Sequence, residues 1–207
     1  TVPNEMFYKC EKLSSLDLGE VETIGKYAFN GCYLKTVTIP KSVTYVGEDA
    51  FSGYPIPNSP YGEWAPMDNV YIYGENIQLG PGGTSTMSAT QVTIGNTVRR
   101  ISGMIGRVTS TIIFEEGSVC EHFCSMRSSA IKSITLPDCI KELDEMAFYS
   151  CKELKSAKLP ASLTTIPKSA FELCTSLESI TIPDGIVVIG EKAFYSCNLL
   201  AKIEIPS

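Results

Sequence analysis

His122 is the only histidine among 207 residues, and it stands between two thiols in Cys120-Glu121-His122-Phe123-Cys124. Imidazole and thiolate are preferred zinc ligands, so this run is the first place to look for chemistry. A structural zinc site usually draws on two separated ligand pairs, and no second pair accompanies this one. The expected role of His122 is that of a surface residue in an irregular segment, with no metal bound. Nucleophilic catalysis needs a base held against a nucleophile and oriented by a third group. The spacing places no acid beside His122 for that purpose. Neither G-x-S-x-G nor H-E-x-x-H occurs. Gly80-Pro81-Gly82-Gly83-Thr84-Ser85 is rich in glycine but lacks the lysine of a phosphate-cradling loop. Recurrent acids such as Glu153, Glu178 and Glu191 fall at outward positions and suit a solvated face. The sequence therefore predicts no enzyme, no catalytic residue and no cofactor.

What must position these groups is a repeat of about 23 residues, clearest from Leu154 to the C-terminus. Its template is L-x-x-I-x-I-P-x-x-I-x-x-I-x-x-x-A-F-x-x-C-x-x. The fourth position can be followed through Leu16, Val37, Val70, Val92, Ile112, Ile134, Ala157, Ile180 and Ile203. That spacing gives roughly nine rungs, none of which can bury an apolar face alone. In Ile180-Thr181-Ile182 apolar and polar residues alternate, the pattern of a half-buried strand. Pro183 ends it, because proline donates nothing to a sheet. Ile186 and Ile189 turn inward across the next bend, and Gly190 suits a turn. Ala193, Phe194 and Cys197 lie at helical spacing, which predicts a short helical or 3-10 turn. The expected class is an α/β repeat, with one parallel strand and one short helical turn per rung. Phe7, Phe29, Phe51, Phe148, Phe171 and Phe194 share one template position and should form a buried column.

Five of the eight cysteines, Cys10, Cys32, Cys151, Cys174 and Cys197, also share one position. Stacked rungs lie close enough for a disulfide, about 5 Å apart. Three consecutive rungs carry this cysteine, however, and three cannot pair without a remainder. Buried free thiols that fill small apolar gaps are the expected state. Cys139 falls where Ser42 and Ser162 stand, a place where a small polar side chain can satisfy backbone groups at a strand exit.

The segment from Leu154 to Cys174, with Pro160, Ser162, Ile166, Ala170 and Phe171, closely resembles the BspA-like, or Treponema-type, leucine-rich repeat. Val37 through Phe51 resembles it too, with Pro40, Ser42, Val46 and Gly47. The resemblance is strong over 1–51 and 131–207 and weak over 92–130. It implies a right-handed leucine-rich-repeat solenoid, usually secreted or surface-anchored in bacteria and some parasitic protists. It further implies adhesion or host-protein binding, with no catalytic residue and no cofactor. The chain departs from the pattern at 52–90, where an insertion of about ten residues precedes the Val70 strand. Residues 1–207 are expected to be a single leucine-rich-repeat domain. Thr1 to Phe7 superposes on Thr165 to Phe171, and Ser207 also falls in mid-rung. Capping units of the kind solenoids need are not evident, so a segment of a longer protein is expected.

No apolar run approaches the roughly 18–20 residues of a membrane span, so direct membrane insertion is not expected. A net charge of −6 argues against nucleic acid as the main partner. The expected partner is a host or extracellular protein, or else a glycan, met outside the cell or at its surface. Thr93, Thr135 and Lys158 occupy outward strand positions, on a face rich in hydroxyls and edged by lysines. Threonine suits such positions by propensity alone. The insertion says more. Tyr54, Tyr61, Trp64, Tyr71 and Tyr73 gather there among several prolines, and Tyr71 and Tyr73 flank inward Ile72. Aromatics on a stiffened loop are typical contact anchors, although the same side chains could instead cover a broken rung. The expected function is a noncatalytic adhesion or protein-binding module using the concave strand face and this insertion. A structural spacer and a carbohydrate-binding module are the alternatives.

Overall fold

The computed structural model describes residues 1–55, 64–80, 87–106, 108–127 and 129–205. Its strands are short, and several draw on β-branched residues alternating in and out. In Thr36–Ile39 the threonines are exposed while Val37 and Ile39 are buried. Numbering along the chain, the first ladder runs β2 (Thr36–Ile39), β6 (Met67–Ile72), β8 (Ala89–Ile94) and β10 (Thr111–Phe114). It resumes as β12 (Ser133–Thr135), β14 (Ser156–Lys158) and β16 (Ser179–Thr181). All of these pairings are parallel. Val37, Val70, Val92 and Ile112 lie in register, as do Ile134, Ala157 and Ile180. Among the described residues no ladder joins β10 to β12, so this face has a seam.

A second ladder was not expected from the sequence. It consists of β1 (Thr23–Ile24), β3 (Tyr45–Val46), β7 (Asn76–Leu79), β9 (Arg100–Ser102), β11 (His122–Phe123) and β13 (Glu142–Leu143). A further pair, β15 (Thr165–Ile166) and β17 (Val188–Ile189), follows. The inward isoleucine that the template places after the proline is thus itself a strand residue. Most of these strands hold two or three residues, too few for alternation to register as a signal.

The predicted helical turn is absent, because the described residues contain no helix. The residue before each alanine of the Ala-Phe pair has positive φ: Tyr27 (56°), Asp49 (50°), Met146 (59°), Ser169 (55°) and Lys192 (58°). Two residues beyond the phenylalanine, Lys9, Ser150, Leu173 and Ser196 do the same, and Gly31 and Gly53 take that place in their rungs. A helix requires an unbroken run of right-handed residues. A left-handed non-glycine residue costs about 1–2 kcal/mol, so something must offset it. The gain is hydrogen bonding between rungs. Phe7, Phe29, Phe148 and Phe171 donate their N–H groups to Ala28, Ala50, Ala170 and Ala193 at 2.8, 3.0, 2.7 and 2.8 Å. A helix would have kept those donors within the segment.

The same stacking explains other template residues. Phe7, Phe29 and Phe51 stack with centroids 5.2 Å apart, and Phe148, Phe171 and Phe194 with centroids 5.1 and 5.5 Å apart. The expected single column is therefore two. Buried Met87, Ile105 and Met126 lie between them, and Met87 bridges directly to Phe51. A Cβ on Gly190 would sit 2.5 Å from the Lys168 amide nitrogen, so close approach of the preceding rung selects glycine there.

All eight cysteines are free. The repeated thiols do more than fill space. Cys32, Cys174 and Cys197 donate to the carbonyls of Phe7, Phe148 and Phe171 one rung back, at 3.1, 3.0 and 3.1 Å. Cys151 does the same to Met126, at 3.2 Å. Ser42 donates to the Val21 carbonyl at 2.8 Å, as expected for the strand exit. Cys139 instead reaches the Ser118 hydroxyl at 3.8 Å.

Two measurements test this packing. Phe171→Ala empties a fully buried site and should cost about 3–5 kcal/mol in urea unfolding. Hydrogen exchange should accelerate around Phe148 and Phe194 and leave Val2 to Ile24 unchanged; a uniform acceleration would contradict nearest-neighbour stacking. Burial pushes the Cys32 and Cys197 thiols up to about 11 and Cys120 up to about 12. Iodoacetamide at pH 8 should therefore label exposed Cys10 first. The unreduced, denatured chain should take up eight alkyl groups, and fewer would reveal a disulfide.

Candidate functional site

The outward residues of the first ladder form rows across the rungs. Thr38, Tyr71, Thr93 and Ile113 lie in register on β2, β6, β8 and β10. Beyond the seam, Thr135, Lys158 and Thr181 continue the row on β12, β14 and β16. The structure thus brings Tyr71 beside Thr93 and Thr135 beside Lys158. Thr93 is only 6% exposed, contrary to the expectation of an open contact residue. Its short side chain stands in register between the larger Tyr71 and Ile113. Ile113 is 41% exposed, at a position where other rungs carry threonine. Thr135 and Lys158 are exposed, together with Lys132 and Lys155. The Lys155 N–H donates to the Lys132 carbonyl at 2.8 Å, which places these two lysines on adjacent rungs.

The insertion begins and ends as an antiparallel pair, β4 (Tyr54–Pro55) with β5 (Trp64–Ala65). Tyr54 packs on Tyr33 at 4.7 Å with rings tilted by 59°, and the Lys35 ammonium lies 5.8 Å from the Tyr33 ring. Trp64 opposes Pro55 in the backbone register. Its side chain and the whole of Tyr61 lie outside the described residues. Among those residues no ring contact joins Tyr54 to Tyr71.

Tyr73 lies just past the strand and is half-exposed. The strand ends at Ile72, and the Tyr73 hydroxyl donates to Glu115 at 2.7 Å, across 42 residues of sequence. That carboxylate raises the phenol's pKa by accepting from its neutral form. The second Glu115 oxygen accepts the Asn96 N–H at 3.1 Å. The Tyr73 ring also covers Gly95, where a Cβ would lie 2.3 Å from Cδ1. Tyr73 therefore braces two rungs.

His122 is not a surface residue, as it is 7% exposed on β11. Nδ1 lies 2.9 Å from Glu142 Oε2 and Nε2 lies 2.7 Å from Asp144 Oδ1. The hydrogen bond that Asp144 accepts from the ring is the main cause of a raised imidazole pKa, with burial opposing and the bond accepted by Glu142 adding to it. Arg100 reaches the same Glu142 oxygen at 3.7 Å. Glu121 receives Lys141 at 2.9 Å and Arg99 at 3.6 Å, and the lysine holds its carboxyl below the usual range. With Asn76 these groups enclose a pocket of about 170 Å³. Cys120 and Cys124 are buried, and Cys120 donates to the His122 carbonyl at 3.3 Å. Among the described residues no three His, Cys, Asp or Glu side chains are arranged to hold a metal ion. The partners of His122 lie 20 and 22 residues along the chain. The repeat itself carries that signal, since one rung added to position 122 lands on them.

A stack of short parallel strands with one residue pattern per turn defines a leucine-rich-repeat solenoid. Six copies of the BspA-type leucine-rich repeat region match residues 1–60 and 110–207, and the chain belongs to that family. The unmatched stretch contains most of the insertion and the first part of the weakly resembling region. No curated protein matches the chain. A leucine-rich repeat protein from Bacteroides ovatus is 21% identical, with a TM-score of 0.59 over 99% of this chain and 58% of its own length. The pneumococcal vaccine antigen PcpA is 23% identical, with a TM-score of 0.55 over 86% of this chain and 41% of its own length. A leucine-rich repeat protein from Eubacterium ventriosum is 19% identical, with a TM-score of 0.54 over 93% of this chain and 67% of its own length. At these identities the likeness is one of fold. The chain spans 58% of the first relative and 41% of the second. Among the described residues no helix is long and apolar enough to cross a membrane.

The Tyr73 brace is open to test. Tyr73→Phe should lose about 1.5–3 kcal/mol in urea unfolding, the range for a hydrogen bond to a charged acceptor. Gly95→Ala should lose at least as much, because its Cβ must displace the ring. The double variant should fall short of the sum, and full additivity would show that the two act separately.

Proposed function

We propose that this segment is a noncatalytic protein-binding module, secreted or held at a cell surface, that meets a host or extracellular protein on its strand face. The observation that carries the reading is the row formed by Tyr71, Thr93 and Ile113. There an exposed isoleucine and a half-exposed tyrosine stand in register on a sheet whose other outward residues are polar. Large side chains on a face held rigid by two parallel ladders lose little freedom on binding, which is how contact anchors gain affinity. Tyr71 supplies an aromatic anchor, and Thr93 forms the floor beside it. Thr135 and Lys158 extend the face beyond the seam. Tyr54, Tyr61 and Trp64 belong to the insertion that borders β6.

Family membership supports the same reading, because stacked repeats build extended surfaces rather than enclosed pockets. PcpA, one of the solved relatives in fold, is a vaccine antigen, which accords with exposure outside the cell.

Biolayer interferometry against a panel of purified extracellular-matrix and serum proteins, with a glycan array run in parallel, tests the proposal. At least one protein should bind, and Tyr71→Ala combined with Lys158→Ala should weaken it about tenfold or more, equivalent to about 1.4 kcal/mol. Retention of full affinity by the double variant would remove the strand face as the site. Binding to glycans alone would replace the protein partner.

A further inference from the structure

The seam between β10 and β12 is crossed on the other side of the solenoid by one narrow ladder. Strands β11 and β13 pair there over two residues, His122 with Glu142 and Phe123 with Leu143. The amides of Lys141, Asp144 and Met126 donate across it to Glu121, Phe123 and Ala147 at 2.8, 3.1 and 2.5 Å. On top of this ladder sits the only histidine of the chain, bonded through both ring nitrogens to carboxylates of the next rung.

We propose that His122, Glu142 and Asp144 form a proton-operated clasp that closes the seam when the imidazole is charged and loosens it when the imidazole is neutral. The chemistry follows from a count of donors. A carboxylate only accepts, so two carboxylates at hydrogen-bond distance require two N–H donors. The imidazolium has two and the neutral ring has one. Loss of the proton leaves a ring lone pair 2.7 or 2.9 Å from a carboxylate oxygen, on an imidazole that is itself only 7% exposed. One contact must then open, and the rungs on either side of the seam lose a tie.

The surrounding charges fit this assignment. Facing the ring from β9 is Arg100, which opposes the imidazolium charge while sharing Glu142 with it. Glu121, beside His122, is occupied by Lys141 and Arg99. The Cys120 and Cys124 thiols are held neutral by burial. Asp144 also accepts the Gly103 N–H at 3.3 Å, so its position is fixed from two sides. Among the described residues Arg100 is already engaged with Glu142, and Lys141 and Arg99 with Glu121.

The direction of the pH dependence is fixed. The folded-state pKa is raised above the ordinary 6.5. The clasp therefore contributes fully below about 6.5, and its contribution disappears as the pH climbs through the raised value. Acid tightens this seam and alkali loosens it.

A single histidine makes the experiment clean, because only one imidazole resonance titrates in the NMR spectrum. Its midpoint in the folded chain should lie above 6.5, and lower in Asp144→Asn. Hydrogen exchange should be followed at the Lys141, Asp144 and Met126 amides, with Phe171 and Leu173 in the regular rungs as internal reference. Above the midpoint the seam amides should speed up more than the reference, by tenfold for each unit the midpoint lies above 6.5. His122→Gln should remove that excess pH dependence while the reference amides keep their rates. A wild-type midpoint at or below 6.5, or seam amides that track the reference at all pH values, would overturn the clasp. If His122→Gln does not fold, the wild-type titration and the Asp144→Asn shift decide the matter.

Discussion

Backbone hydrogen bonding from each rung to the next is the constraint on which the rest of this structure depends. A two-residue strand has no independent stability, and most strands of the second ladder hold only two or three residues. They persist because their amides find acceptors on the neighbouring rung. The Ala-Phe segment shows how far this requirement reaches. It accepts two left-handed residues per rung, unfavourable wherever they are not glycine, so that Phe29 can donate to Ala50 and Phe171 to Ala193. Ring stacking, thiol donation and the glycine at position 190 are consequences of that spacing. Phenylalanines can stack at 5.1–5.5 Å because the backbone has already set the rise.

The thiols add a second tie of the same kind. A cysteine such as Cys174 donates to a phenylalanine carbonyl one rung back. It combines a small apolar body with one weak donor, and the site offers both a gap and an unused carbonyl lone pair. Serine would donate more strongly but would bring a more polar group into the core. Four of the five recurrent thiols, those of Cys32, Cys151, Cys174 and Cys197, each face a backbone acceptor one rung back.

Much of the first ladder was legible in the sequence. The traced positions Val37, Val70, Val92 and Ile112 are register partners, because inward β-branched residues at a fixed repeat leave little choice of pairing. The Ala-Phe-x-x-Cys turn misleads because spacings of one and four residues suit a helix as well as they suit two successive turns. Its left-handed residues are Tyr27, Asp49, Met146, Ser169 and Lys192, which share no side-chain property that a sequence could display. At the site, Tyr71 and Lys158 were readable from strand parity. Thr93 was not, since its burial comes from the size of its register neighbours. The partners of Tyr73 and His122 were hidden for a related reason. They are polar contacts between rungs that no local pattern marks, and for His122 only the repeat period points to them.

Those polar ties fall where the template slackens. In the regular rungs apolar stacking is continuous, and any rung could follow any other. Between Phe51 and Phe148 the phenylalanine column gives way to Met87, Ile105 and Met126, whose flexible or branched side chains fix the rise less firmly. Specific pairs fix it there instead, Tyr73 with Glu115, and His122 with Glu142 and Asp144. A pair of this kind is directional, so it determines which rung stacks on which, whereas a phenylalanine stack does not. The irregular middle is therefore a stretch held together by addressed contacts. It also divides the strand face, with Tyr71 and Ile113 on one side of the seam and Thr135 and Lys158 on the other. Any partner that spans both halves depends on the seam for its geometry, and the seam depends on the charge of one imidazole.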